Sequence, residues 1–165
     1  MTIVCDTSPL LLFARADRLG LLPALYQRVV VPGAVLQEVN VQADEPARQI
    51  QVHVQQDVFQ RKEARGKSLD AVGENMGRGE RAAIALAREL DAELVVLDDE
   101  QLDDEQGRTE ARRHGLSITG SIGILIEAKE RDVIASMRRE LDRLVEEGLW
   151  IDEQLYDRVL REHEE

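Results

Sequence analysis

The sequence predicts an α/β fold, a three-layer α/β/α sandwich with a central, largely parallel sheet covered on both faces by helices. Three observations carry that expectation. Four short apolar runs rich in β-branched residues read as strands, helical patterns lie between and after them, and 165 residues at 43% hydrophobic content give one domain with a sizeable core.

The strands are TIVC (2–5), RVVV (28–31), ELVVL (93–97) and LSIT (116–119), each bounded by breakers or charges. Ser8 followed by Pro9 offers an N-cap and a first helical position for PLLLFARA. Pro32 and Gly33 open a short helix around AVLQEV. GERAAIALAREL (79–90) is built from strong helix formers, and Ser121 can cap SIGILIEAKERD. Two amphipathic helices, SMRRELDRLVEEG and DEQLYDRVLREHE, follow, with Gly148 as a stop and Asp152 as the next cap. Residues 1–165 read as a single domain. The polar, Gln-rich stretch 41–78, with a weak strand-like VHVQQDVF, reads as an inserted segment: an extra helix pair, a flap or a partly ordered loop.

Composition narrows the function classes. The lone cysteine, Cys5, stands in an apolar run and reads as a small buried hydrophobe rather than a disulfide partner. No signal peptide is apparent, and no apolar run approaches the ~20 residues that span a bilayer, so a cytoplasmic protein with no membrane association is expected. Asp and Glu number 33 against 21 Lys and Arg, a net charge of −12, which argues against a large phosphate-binding surface. Aromatics at 3% leave no evident stacking platform for single-stranded nucleic acid.

The chemistry lies in the acids. Sites in open parallel sheets form at the carboxyl ends of strands. Asp6 is the first residue past the first strand, and Asp98 and Asp99 are the first past the third predicted one. If those strands are neighbours, three carboxylates converge. On the helix 79–90, Glu80 shares the apolar face of Ala83, Ile84, Leu86, Ala87 and Leu90, while Arg81, Arg88 and Glu89 point to solvent. An acid in a first turn also favours the helix dipole, which accounts for part of that placement. Glu38, in VLQEV, lies at the edge of its helix's apolar face, where a surface acid is the plainer reading. Clustered buried carboxylates repel one another and need a cation. All-oxygen donors suit Mg²⁺ or Mn²⁺, and no Cys/His cluster points to zinc. His53, His114 and His163 stand away from strand ends and default to the surface.

Five motifs, DTSPLL, VVVPGAVLQEV, GRGERAAIALA, VVLDDE and GLSITGSIGILIEAKERDVI, together with the tail RLVEEGLWIDEQLYDRVL, resemble a PIN-domain protein, in particular the VapC-like branch. The resemblance spans nearly the whole chain and is carried by the order of the motifs rather than by any one of them. It implies an α/β/α sandwich and an Mg²⁺/Mn²⁺-dependent endoribonuclease acting on RNA, in many relatives the toxin of a toxin–antitoxin pair, usually a homodimer. By position it makes Asp6, Glu38, Glu80, Asp98 and Asp99 the catalytic acids, with Asp6, Glu80, Asp98 and Asp99 as metal ligands. Thr7 or Ser8 would brace the metal or its water, although N-capping accounts for Ser8 as well. Lys129 and Arg108 would reach phosphate, and Arg112 and Arg113 could guide a backbone. A tandem LDDEQ at 97–101 and 102–106 departs from the family pattern and makes Asp103 and Asp104 rivals of Asp98 and Asp99; the first pair is favoured because the strand delivers it directly.

The alternative is a non-catalytic PIN-fold interaction module, which has no reason to keep repulsive acids. A receiver-type phosphoacceptor keeps its paired acids after the first strand. A haloacid-dehalogenase pattern needs Asp where Ser8 stands.

Overall fold

The computed structural model describes residues 1–98 and 109–163. Five parallel strands, β1 (Thr2–Cys5), β2 (Arg28–Pro32), β3 (Phe59–Lys62), β4 (Leu94–Val96) and β5 (Ile118–Thr119), form one sheet in the order β3-β2-β1-β4-β5. The β1 strand is therefore central, with Ile3 beside both Val29 of β2 and Leu94 of β4. The order reverses at β1, so the crevice at its carboxyl end is where such a sheet places a site.

The helices are α1 (Thr7–Arg15), α2 (Leu21–Leu25), α3 (Gly33–Gln42), α4 (Glu45–Gln55), α5 (Gly66–Asp70), α6 (Arg78–Leu90), α7 (Ser121–Glu130), α8 (Met137–Glu146) and α9 (Glu153–Glu162). Residues 109–113 are also helical. Side chains alternate across the sheet. Ile3, Cys5, Val29, Val31 and Val96 join the larger core with α1, α4, α7 and α8, whereas Val4, Val30, Val95 and Leu97 join a second core with α6. Both faces are thus covered, which is why the strands read as unbroken apolar runs.

The structure corrects several local expectations. The N-cap of α1 is Asp6 and not Ser8, because the Asp6 amide donates to Val96 O (3.1 Å), which holds the residue extended and turns the chain at once into helix. Ser8 lies inside the helix and is exposed. Ser121 does not cap α7 either; Gly120 holds that position, and Ser121 is the first helical residue and fully buried. Asp152 does cap α9, accepting from Leu155 N (2.7 Å), and Gly148 after α8 adopts φ +114, a conformation glycine alone takes readily.

Residues 41–78 hold the end of α3, then α4, the edge strand β3 and α5. The first half of the strand-like VHVQQDVF is helix, and only its last residue, Phe59, enters a strand. Val52 and Val54 mimic a period of two, but Ala47, Ile50 and Val54 share a helical face that packs on the core, and Asp44 caps the helix through Ala47 N (3.0 Å). On α6, Arg81 and Glu89 are half-buried rather than solvated. The short helix α5 and its flanks pack beside them: Arg81 donates to Leu69 O (2.7 Å), and Glu89 pairs with Arg65 (2.6 Å). His53 and His114 are half-buried too, against Gln49 O (2.7 Å) and Glu110 Oε1 (3.1 Å). Cys5 is buried. Among the described residues no helix is long and apolar enough to cross a membrane.

Ile84 is fully buried in the middle of α6. Ile84→Ala should destabilise the fold by about 2–5 kcal/mol, read by urea unfolding. A loss below about 1 kcal/mol would contradict the packing of α6 against the sheet.

Candidate active site at the carboxyl edge of the sheet

Backbone geometry alone delivers Asp6. The β1–β4 ladder runs one residue past β1 through the Asp6 amide, so the side chain leaves the sheet at its carboxyl edge, where it is 7% exposed. The next residue, Thr7, opens α1 and donates its hydroxyl to Glu38 Oε2 (2.6 Å). Glu38 projects from α3, half-buried, and its other oxygen, Oε1, accepts from the backbone amide of Gly79 (2.9 Å). That amide belongs to the first turn of α6, so the carboxylate also meets the positive end of a helix.

Gly79 shows how closely the acids approach. A Cβ there would lie 2.9 Å from both Glu38 carboxylate oxygens and 3.1 Å from Asp6 Oδ1. Asp6 and Glu38, 32 positions apart in the sequence, therefore meet over one glycine, where an added side chain would make the carboxylates shift. Glu80 follows in the same first turn, half-buried and with Oε2 shielded from solvent. The expected inward aim of Glu80 is thus observed.

Asp98 closes the edge on the other side of β1. It follows β4 and Leu97, and its oxygens accept from Ser121 N (2.6 Å) and Ser121 Oγ (2.5 Å). It therefore caps α7 from a neighbouring strand, the role the sequence suggested for Ser121. Asp6 and Asp98 are both close enough to act on Cys5: burial, then Asp6, then Asp98, push its thiol well above the ordinary cysteine range. Cys5 is held as an inert neutral thiol beneath the acids.

The remaining candidates are placed as follows. Ser8 is exposed one residue beyond Thr7. Lys129 lies more than two turns from the start of α7, and its ammonium donates to Ala135 O (2.6 Å). Arg112 and Arg113 are exposed, and Arg113 pairs with Glu110 (3.4 Å). Asp99, Asp103, Asp104 and Arg108 lie outside the described residues. Among the described residues, no three Asp, Glu, His or Cys side chains stand grouped so as to hold a metal ion in their present arrangement. What stands assembled is a pair, Asp6 with Glu38, whose oxygen donors are of the type a hard divalent cation takes. Sequence reasoning missed the Gly79 amide and the Ser121 clasp, because both are contacts across the fold. The signal available was GRGE and TGSIG, glycines and a serine at helix starts.

A family model for the PIN domain matches residues 2–165. No curated protein and no solved structure matches the chain significantly.

Gly79→Ala should therefore force the two carboxylates apart and destabilise the chain by about 1–3 kcal/mol in chemical unfolding. Gly66→Ala, where nothing lies within 4 Å of the added Cβ, is the matched control and should be neutral or slightly stabilising. Equal effects at both positions would contradict the close approach at Gly79.

Proposed function

The chain belongs to the PIN-domain family, and from that premise we propose that it is an Mg²⁺- or Mn²⁺-dependent endoribonuclease that hydrolyses RNA phosphodiester bonds. The observation that carries the reading is the meeting of Asp6 and Glu38 over Gly79 at the switch point of a parallel sheet. Asp6, Glu38, Glu80 and Asp98, with Asp99 after them in the chain, are the proposed catalytic acids. A divalent cation held by such carboxylates supplies Lewis acidity and a water nucleophile for in-line attack at phosphorus.

The protein's own residues do the positioning. Thr7 and the Gly79 amide fix both oxygens of Glu38, so this carboxylate is oriented before any substrate arrives. Asp6 is fixed through its backbone. Glu80 sits at the mouth of α6, suited to accept a proton from water or to complete the ligand set. On one flank a cavity of about 360 Å³ is lined by Gln37, Glu63, Glu74, Arg78 and Arg81, among others, so its two guanidinium groups stand beside two carboxylates.

The finer assignment belongs to the same proposal: a toxin of the VapC-like branch, checked by an antitoxin protein and working as a cytoplasmic homodimer. Its support is the motif resemblance. A small neighbouring reading frame encoding a DNA-binding protein would strengthen it.

One observation favours a second reading, a non-catalytic PIN-fold module. Both oxygens of Asp98 are engaged by Ser121, an arrangement that serves structure as well as ligation. The two readings diverge in a single assay. Purified protein titrated with Mn²⁺ over a mixed RNA pool should cut, cutting should stop with chelator, and Asp6→Asn or Glu38→Gln should each lower kcat/KM at least ~100-fold, as loss of a preorganised charge does. Metal binding without any cutting would favour the module.

A further inference from the structure

We infer that the cavity beside Asp98 is a nucleobase subsite, in which a base adjoining the scissile phosphate stacks on Trp150; this rests on the ribonuclease reading and adds its substrate contact. The cavity holds about 400 Å³ and is lined by Asp98, Thr119, Gly120, Ile122, Leu149 and Trp150, among others. Asp98 is thus shared between this cavity and the carboxyl edge of the sheet. Trp150 is 71% exposed, whereas its neighbour Leu149 is buried in the core and Ile151 packs against it. The loop is thus pinned on either side of an aromatic ring left facing solvent. The indole thus presents an aromatic surface at the wall of the cavity.

The chemistry of the walls selects the occupant. The Asp98 carboxylate on its wall repels a phosphate, so an uncharged occupant is favoured. Thr119 adds a hydroxyl. A Cβ at Gly123 would meet Thr119 Oγ1. Apolar sides, one aromatic face and a few polar groups suit a flat heterocycle. The low aromatic content hid this platform in the sequence, because one tryptophan suffices for one base.

Trp150 is the only tryptophan in the chain, so its fluorescence reports this cavity alone. Short single-stranded RNA titrated into the Asp6→Asn protein, which leaves the RNA intact, should quench that fluorescence saturably, and an abasic oligomer of equal length should not. In the otherwise native chain Trp150→Ala should raise KM for RNA about tenfold, the scale of one lost base stack, while kcat stays within about twofold and the melting curve is unchanged. Trp150→Phe should recover most of the loss. If RNA is still cut but Trp150→Ala leaves KM unchanged and fluorescence does not respond, the subsite is wrong and the nuclease reading survives. If RNA is neither bound nor cut, both fall. If Trp150→Ala instead turns a dimer into a monomer in sedimentation with RNA affinity intact, the cavity is a protein interface and the inference is overturned.

Discussion

Glu38 is the clasp on which the site depends. Its two oxygens reach the hydroxyl that opens α1 and the amide that opens α6, joining three elements separated by 31 and 41 positions. A charge-assisted hydrogen bond of this kind contributes about 1.5–3 kcal/mol, enough to fix where each helix begins relative to the sheet. Glu80 follows, since it sits next to the Gly79 amide the clasp holds, while Asp6 is set by its own ladder bond to Val96. The Gly79 position then becomes the narrowest point of the edge. Structure and candidate chemistry are the same contacts seen twice.

Electrostatics sets the terms on which such a site can work. The chain carries −12 overall, so its surface repels a polyanion. On the proposed reading, binding rests on local features: a cation among the acids, Arg78 and Arg81 in a cavity that Glu63 and Glu74 also line, and the aromatic and apolar walls of the cavity beside Asp98. Affinity carried by so few phosphate contacts is modest and falls with salt. A base-stacking contact is well suited to such a surface because it gains nothing from net charge and loses nothing to salt.

Much of the fold was legible because its signals are local. The strands at 2–5 and 28–31 read almost to the residue, since β-branched runs buried on both faces have no rival interpretation. Asp6 and Glu80 were found by the same logic, one as the charge ending a strand and the other as a charge on an apolar helical face. The errors share a cause. Ser8 and Ser121 have the chemistry of caps, but the ladder bond at Asp6 and the reach of Asp98 to Ser121 decided those helix starts from outside the segment. Strand β3 escaped because Gln60, Arg61 and Lys62 lie at a sheet edge and need little apolar character. Glu38 looked like a surface acid from its helix alone; its partners stand on other elements. Its place at the edge of the apolar face makes it a candidate, and the resemblance to the family raises it above a surface acid.

The claim beneath the rest is that these acids share a divalent cation, and metal-linked stability tests it most directly. At Mn²⁺ concentrations near 100 times its dissociation constant, the native chain should gain about 2.7 kcal/mol against unfolding, and Asp6→Asn should gain none. An equal gain in both proteins, or no gain in the native chain at any Mn²⁺ concentration, would contradict it.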